Sequence, residues 1–280
     1  MRPRLAVSVA LALCAASQTG APLLAAGQDS ARAAAAAAAC LTENSGDAPF
    51  DRLVREPVRH LLVEGRPAQV SGLLCAASGI GKDGVEFHWF WFDLDARTAS
   101  SLGDNPARAE GLRASPDGRY LAVEALSEAL THVDVIDLAA LIRNGRYRVA
   151  ATLGAFPGSV TIEGWTGDGT LRVTGDMLLS HPPHGAPRAR LELLGGPERF
   201  VWSIDTGTVV AESAALRDPV RYSCDHLAAP HPQTRMMAVH NLRFLPSAPA
   251  AACLETALSL EADASVREEI LWALSELGKR

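Results

Sequence analysis

The sequence predicts a chain of mixed class, in which an antiparallel β-rich body is followed by a short α-helical array in a separate domain. Three observations predict it. Between about residues 53 and 215, short β-branched or aromatic runs alternate with Gly, Pro, Asp and Asn, the pattern of strands joined by tight turns. From Gln233 onward the apolar residues recur at helical spacing. Ahead of both stand a leader-like segment and an alanine tract that share neither pattern.

A chain of 280 residues is long for one compact domain, so two are expected. Hydrophobic residues make up 48% of it, enough for a sizeable core. A formal net charge of −6 opposes binding to a phosphate backbone unless a local basic stripe offsets it. The nearest approach is Arg143, Arg146 and Arg148, which read as a solvated loop around Gly145. No nucleic-acid partner is expected.

Residues 1–26 read as a signal peptide. Arg2 and Arg4 form a basic start, and the uncharged run from Leu5 to Ala16 is 12 residues long. A bilayer-spanning helix needs about 20, whereas an export signal followed by small residues fits this length. Cleavage near Ser17 and near Ala26 both fit. Lipid attachment at Cys14 is disfavoured because Leu13 stands where a small residue is wanted. The expected destination is periplasmic or secreted, with the membrane met only through the transient signal peptide. Residues 27–52 are an Ala-rich, low-complexity segment, unbroken alanine from Ala33 to Ala39. Alanine favours helix but offers little side chain to bury, so a fraying helix or a spacer is expected.

Four cysteines follow the leader: Cys40, Cys75, Cys224 and Cys253. In an oxidising compartment they permit two disulfides, with three pairings open. The competing reading is that Cys75 and Cys253, flanked by Leu and Ala, are small buried hydrophobes. There is no C-x-x-C and no metal-ligand spacing.

Residues 53–220 form the expected β domain. Candidate strands are Val58–Glu64, Gln69–Cys75, Val85–Asp93, Tyr120–Ala125, Val133–Asp137, Thr170–Thr174 and Phe200–Ile204. The run from Phe87 to Phe92 carries large rings on both faces, so its strand should be central and covered on both sides. Two turn-plus-strand units look alike, SPDGRYLAV from Ser115 and WTGDGTLRV from Trp165, each with an Asp-Gly hairpin turn. Acidic strand ends recur at Asp93, Asp137 and Asp205, at intervals of 44 and 68 residues. The first interval is a usual propeller-blade period and the second needs an insertion. At these residues the chain resembles the blades of TolB-type or WD-type β-propellers. The resemblance implies a partial, open propeller-like array, because a closed ring takes at least about four blades.

Residues 228–280 form the expected helical domain. The segment from His231 aligns with that from Asp263 at a shift of 32 residues, pairing Arg235 with Arg267. The same shift pairs Ala238 with Ile270, Val239 with Leu271, Leu242 with Leu274 and Leu245 with Leu277 as one apolar face. A further helix is expected from Ala250 to Leu260. Ser265 with Glu268 reads as a capping box for the last helix, and Gly278 as its stop. These residues resemble the HEAT-like repeats of the phycobilisome-lyase type. The resemblance implies that Arg235 and Arg267 brace the turns between helices. Thr234 departs from the pattern, standing where an apolar residue is usual.

No motif assigns a catalytic, cofactor-binding or metal-ligating residue, and no cofactor is expected. Gly79-Ile80-Gly81-Lys82-Asp83-Gly84 satisfies G-x-G-x-x-G, but a strand rather than a helix follows it, so it reads as a hairpin loop. His181 and His184 flank two prolines; with Asp176, His226 or His231 they would suit a divalent metal, although a metal-free surface loop is preferred. Asp93, Asp117, Asp168 and Asp205 read as turn residues. The expected function is a non-catalytic exported interaction or scaffold protein that holds a protein partner through its helical repeat. The alternatives are a metal-assisted hydrolase using the His181/His184 loop and a small-ligand sensor of the β domain. An exposed apolar stripe on the helices over residues 233–277, continuous with the β surface, favours the first. Strand-end loops carrying His and Asp that face one shared cleft favour the hydrolase.

Overall fold

The computed structural model describes residues 9–10, 28–42, 50–81, 84–104, 108–127, 130–154, 159–167, 169–179, 190–194 and 196–278. It separates into two compact units, residues 1–153 with 167–169, and residues 154–166 with 170–280. The chain changes from strand to helix near residue 220, but the compact division falls earlier and groups the third large sheet with the helices. The class is mixed, with six α-helices among the described residues, most of them C-terminal.

In the first unit, β1 (Val9–Ala10) and helix α1 (Gln28–Thr42) precede an antiparallel run of β2 (Arg52–Val63), β3 (Arg66–Gly81), β4 (Gly84–Asp93) and β5 (Thr98–Asp104). The sheet order is β1-β5-β4-β3-β2, with β1 set against Thr98 and Ala99 of β5. The rest of the predicted leader lies outside the described residues. A second sheet runs β6 (Arg108–Ala114), β7 (Tyr120–Ser127), β8 (Leu130–Asp137), β9 (Val149–Gly154) in chain order. Helix α2 (Leu138–Asn144) sits between its last two strands. The tight turns follow local chemistry. Glu64 and Gly65 both take positive φ, as a two-residue hairpin that matches strand twist requires. Gly118 does the same in the Asp-Gly turn before β7.

Strand β4 is central, and alternation assigns its rings to two cores. Trp89 and Trp91 join Leu74, Leu112, Leu121 and Ile136 between the two sheets. Phe90 and Phe92 face the other way, beneath α1, with Ala36, Ala37, Cys40 and Cys75. The alanine tract is therefore a helix docked on the sheet rather than a spacer. Its small side chains bring the helix axis close to the aromatic face. A disulfide, Cys40–Cys75, ties helix to sheet with an S–S distance of 2.02 Å. Arg55 completes the junction, donating from Nε to the Cys40 carbonyl at 2.7 Å and from Nη2 to the Ala39 carbonyl at 2.8 Å. Those carbonyls belong to the last turn of α1, where no backbone donor is available.

The second unit holds β10 (Val160–Gly167), β11 (Thr170–Gly175), β12 (Met177–Leu179), β13 (Arg190–Glu192), β14 (Glu198–Ser203) and β15 (Val209–Ala211). The large sheet is ordered β10-β11-β14-β15, and β12-β13 form a separate pair. Leu171 lies opposite Trp202 and Val173 opposite Phe200, and all four are buried. The other face is polar, with Arg172 on Glu212 at 2.7 Å and Arg199 on Glu163 at 2.8 Å. Each of the three large sheets is thus built on a four-strand antiparallel succession. Asp93 and Asp137 each close the third strand of one, and Asp205 stands in the turn two residues past the third strand of the last. Asp93 accepts from the Ala96 amide and Asp137 caps α2 through the Ala140 amide. No closed ring of sheets occurs among the described residues.

Four helices follow, α3 (Pro219–His226), α4 (Pro232–Arg243), α5 (Ala248–Leu260) and α6 (Ala264–Leu277). Their core is Val239, Leu242, Ala250, Leu254, Val266, Ile270 and Ala273. A second disulfide, Cys224–Cys253, joins α3 to α5 at 2.05 Å. Two sequence expectations need correction. The cap of α6 is Asp263, whose carboxylate accepts from the Ser265 and Val266 amides. Ser265 is already inside the helix and donates its hydroxyl to Asp263, so it is not the start of a capping box with Glu268. Leu271 does not share the buried face with Val239, because the core positions of α6 are Val266, Ile270 and Ala273, a spacing of four and three that turns residue 271 outward. No helix among the described residues is long and apolar enough to cross a membrane.

Candidate interaction surface

The same helical spacing that buries Ile270 and Ala273 sends Leu271 and Trp272 to solvent, with 54% and 47% of their surface exposed. On α4 the last buried residue is Leu242, and the chain then leaves the core through Arg243 and Phe244, the latter 38% exposed. The Arg243 guanidinium carbon lies 3.9 Å from the centroid of the Trp272 ring and 4.7 Å from that of Phe244. The His240 ring is 5.1 Å from Phe244. A cation over aromatic faces is held by the ring quadrupoles, and its N–H edge stays available. No carboxylate among the described residues lies within ion-pair distance of Arg243. The cluster therefore combines aromatic area, a fixed positive charge and open hydrogen-bond donors. It needs no catalytic group to bind something.

Beneath it the helices are braced by arginine. Arg235 makes a two-pronged pair with Glu261 at 2.7 and 2.9 Å. It also donates to the Ala229 and Pro230 carbonyls at 2.9 and 3.1 Å, tying the α3–α4 turn to the end of α5. Arg267 donates to the Leu258 and Glu261 carbonyls at 2.8 and 3.1 Å. The hydrogen bonds from Arg235 hold the Glu261 carboxyl below its ordinary range. The Ser265 hydroxyl does the same for Asp263, helped by the Val266 amide. A cavity of about 510 Å³ opens beside this ion pair, walled by the Cys224–Cys253 disulfide, Leu227, Ala257 and Leu260.

The residues weighed for chemistry scatter. His181 and His184 lie outside the described residues, as do Lys82, Asp83 and Asp168. Asp176 accepts from the Ser159 amide at 2.7 Å and so closes a loop. His226 turns its Nδ1 to the Tyr222 carbonyl at 2.8 Å, and His231 occupies the N-cap position of α4 without a side-chain cap hydrogen bond. Among the described residues no three His, Cys, Asp or Glu side chains converge on a metal position. Gly81 pairs with Gly84 across the β3–β4 hairpin, so no helix follows the glycines. Arg143, Arg146 and Arg148 are exposed around the left-handed Gly145.

One polar cluster was not foreseen. Asp134, buried on β8, accepts from the Tyr147 hydroxyl at 3.1 Å and the Thr152 hydroxyl at 2.7 Å, with His132 Nε2 at 3.6 Å. Burial and the Asp134 charge push the Tyr147 phenol far above its ordinary value, so it serves as a permanent donor. The Thr152 hydroxyl lies on β9, so the cluster clamps β8 to β9. Its sequence signal is the alternation of His132 and Asp134 with the apolar Val133 and Val135.

No family model matches the chain, and no curated protein matches it. Among solved structures it is similar to AtxE2 isopeptidase in the apo form, at 15% identity and a TM-score of 0.36, over 61% of this chain and 32% of that one. It is similar to TolB from Acinetobacter baumannii at 12% identity and a TM-score of 0.28, over 58% and 43%. A third similarity is to hydrazine synthase of Kuenenia stuttgartiensis, at 16% identity and a TM-score of 0.27, over 57% and 51%. The matches span between 32% and 51% of those chains, and at such scores they carry no argument about function.

Proposed function

We propose that the chain is a non-catalytic, exported interaction module of the cell envelope, which holds a protein partner on the outer face of α4 and α6. The single observation that carries this is the exposed Arg243–Phe244–Trp272 cluster. Trp and Arg dominate the energetics of protein interfaces, and a guanidinium already seated on aromatic rings loses little freedom when a partner carboxylate meets its edge. The partner is a protein that offers a carboxylate beside apolar surface. On this reading the helices are a HEAT-like repeat of the phycobilisome-lyase type, supported by the turn-bracing roles of Arg235 and Arg267. The sheets are blades of a propeller-like body, supported by their four-strand antiparallel order. The two disulfides support a periplasmic or secreted location, since such bonds persist in oxidising compartments.

The test is site-specific photo-crosslinking in the cell envelope. A benzophenone side chain at position 271 is expected to give a discrete protein adduct, absent when the same group replaces exposed Val149. Trp272→Ala is expected to cut that adduct at least tenfold. Adduct at position 271 no greater than at 149, or undiminished by Trp272→Ala, refutes the proposal.

A further inference from the structure

The two disulfides differ in what surrounds them. Cys40 and Cys75 are buried between α1 and the aromatic face of the first sheet, among Ala36, Phe90 and Phe92. A reductant has no route to either sulfur without lifting the helix. Cys224 and Cys253 are half-buried and form part of the wall of the cavity of about 510 Å³ between α3 and α5. Leu260, on its rim, is 80% exposed. Thiol–disulfide exchange depends on access for an attacking thiolate, and here the fold supplies it for one bond and denies it to the other.

Helix α3 is also poorly fastened by anything else. It has eight residues, too few to persist alone in water. Only Val220, Cys224 and Leu227 of this segment reach the helical core, each partly buried. Its fully buried residue is Ser223, whose hydroxyl lacks a hydrogen-bond partner and so weakens the docking. Two further ties hold the segment. The Tyr222 hydroxyl accepts from the Leu194 amide at 2.9 Å, and Arg235 donates to the Ala229 and Pro230 carbonyls just beyond the helix rather than to α3 itself.

We propose that Cys224–Cys253 is a redox-operated fastener, opened by a dithiol that enters this cavity, and that its opening releases α3 while Cys40–Cys75 stays closed. A thiolate of the dithiol attacks one sulfur, forming a mixed disulfide, and the other cysteine leaves as a thiolate. The second thiolate of the reductant then attacks its own partner sulfur in the mixed disulfide and expels the second cysteine. Two electrons pass to the protein, the two protons of the dithiol end on Cys224 and Cys253, and the reductant leaves as a disulfide.

The whole oxidised chain is exposed to dithiothreitol for graded times, quenched in acid, alkylated with N-ethylmaleimide and mapped by peptide mass. Cys224 and Cys253 are expected to acquire label at least tenfold faster than Cys40 and Cys75. At the stage where only the first pair is labelled, amides of residues 219–227 are expected to exchange with deuterium at least tenfold faster than in the oxidised protein. Those of residues 50–104 are expected to stay unchanged. Cys224→Ser with Cys253→Ser is expected to reproduce the fast α3 exchange without reductant. Parallel labelling of the two pairs, earlier opening of Cys40–Cys75, or unchanged α3 exchange in the selectively reduced protein overturns the proposal.

Discussion

Gly118 and Gly65 occupy corresponding hairpins, each joining the first two strands of a four-strand succession, yet replacing them by alanine has different consequences. Both take positive φ, +70° and +75°, so either alanine costs about 1 kcal/mol of backbone strain. At Gly65 nothing lies within 4 Å of the added methyl, and strain is the whole effect. At Gly118 the methyl overlaps the His60 carbonyl and comes to 2.6 Å from the Leu61 nitrogen. Those atoms are backbone of β2 and cannot swing aside. The turn must retreat, and the hydrogen bond from the Leu62 amide to the Gly118 carbonyl, 3.0 Å long, goes with it. Losing that bond costs about 1 kcal/mol, and displaced packing adds about 1–2 kcal/mol more. Gly118→Ala should therefore destabilise the first unit by about 3–4 kcal/mol against about 1 kcal/mol for Gly65→Ala. Urea-dependent hydrogen exchange, read in peptides spanning 52–63 and 120–127, measures both in the unit concerned. Equal shifts in the two variants would mean that the turn does not bear on β2.

Other perturbations test other contacts. Trp272→Ala should change thermal stability by no more than about 1 kcal/mol, because the ring is half exposed, while weakening partner binding by about 2 kcal/mol or roughly 30-fold; differential scanning and adduct yield separate the two. Acid should loosen the helices as pH falls below about 4. The folded pKa values of Glu261 and Asp263 are depressed, so their contribution is present above the ordinary carboxylate range and lost through the lower folded values. Glu261→Gln should flatten that dependence in circular dichroism at 222 nm. Glu56 has the opposite sign, since burial raises its carboxyl despite the Ala114 amide and Arg113. Its contribution is present below the ordinary glutamate value and lost as pH rises through the folded one, so Glu56→Gln should stabilise the first unit at neutral pH in urea titration. Ala36→Leu, on the buried face of α1, should cost about 1–3 kcal/mol by overpacking. Ala38→Leu on the exposed face should stay within about 0.5 kcal/mol, and melting curves of the pair decide it.

What could be read in advance divides by the range of the interaction. Strand β4 was legible because FHWFWF states both its strand character and its central position. The strands β5 (TASSLGD), β6 (RAEGLRA) and β9 (VAATLG) were missed, since small and polar residues become strand only when a neighbour offers its edge. Helix α2 is seven residues long, too short for periodicity. Its signals were the ends, Asp137 as cap and the left-handed Gly145. Helix α3 announced itself only by Asp218-Pro219, a cap followed by proline. The exposure of Leu271 and Trp272 was within reach, because Val266, Ile270 and Ala273 alone fix the buried face of α6. The stacking of Arg243 was not, since it depends on how α4 meets α6. Nor was the disulfide pairing: the bonds close separations of 35 and 29 residues, and neither number favours one partner over another.

The alanine tract shows why composition misleads about burial. Small side chains bury little area each, which argued against a docked helix. But burial is set by both partners, and the surface opposite is unusually large: Phe50, Phe90 and Phe92 present rings that a bulky helix would hold at a distance. Alanine lets the backbone descend between them, so most of the apolar area removed from water belongs to the sheet. The fit alone is too weak for a helix that must also pay its ordering entropy. The Cys40–Cys75 bond closes a loop of 35 residues, which removes about 4 kcal/mol of unfolded-state entropy by the chain-closure estimate, and Arg55 satisfies the carbonyls at the helix end. Aromatic face, small-residue helix, cross-link and arginine cap are therefore one device. Removing either of the last two should loosen α1 while leaving the strands of the sheet in register.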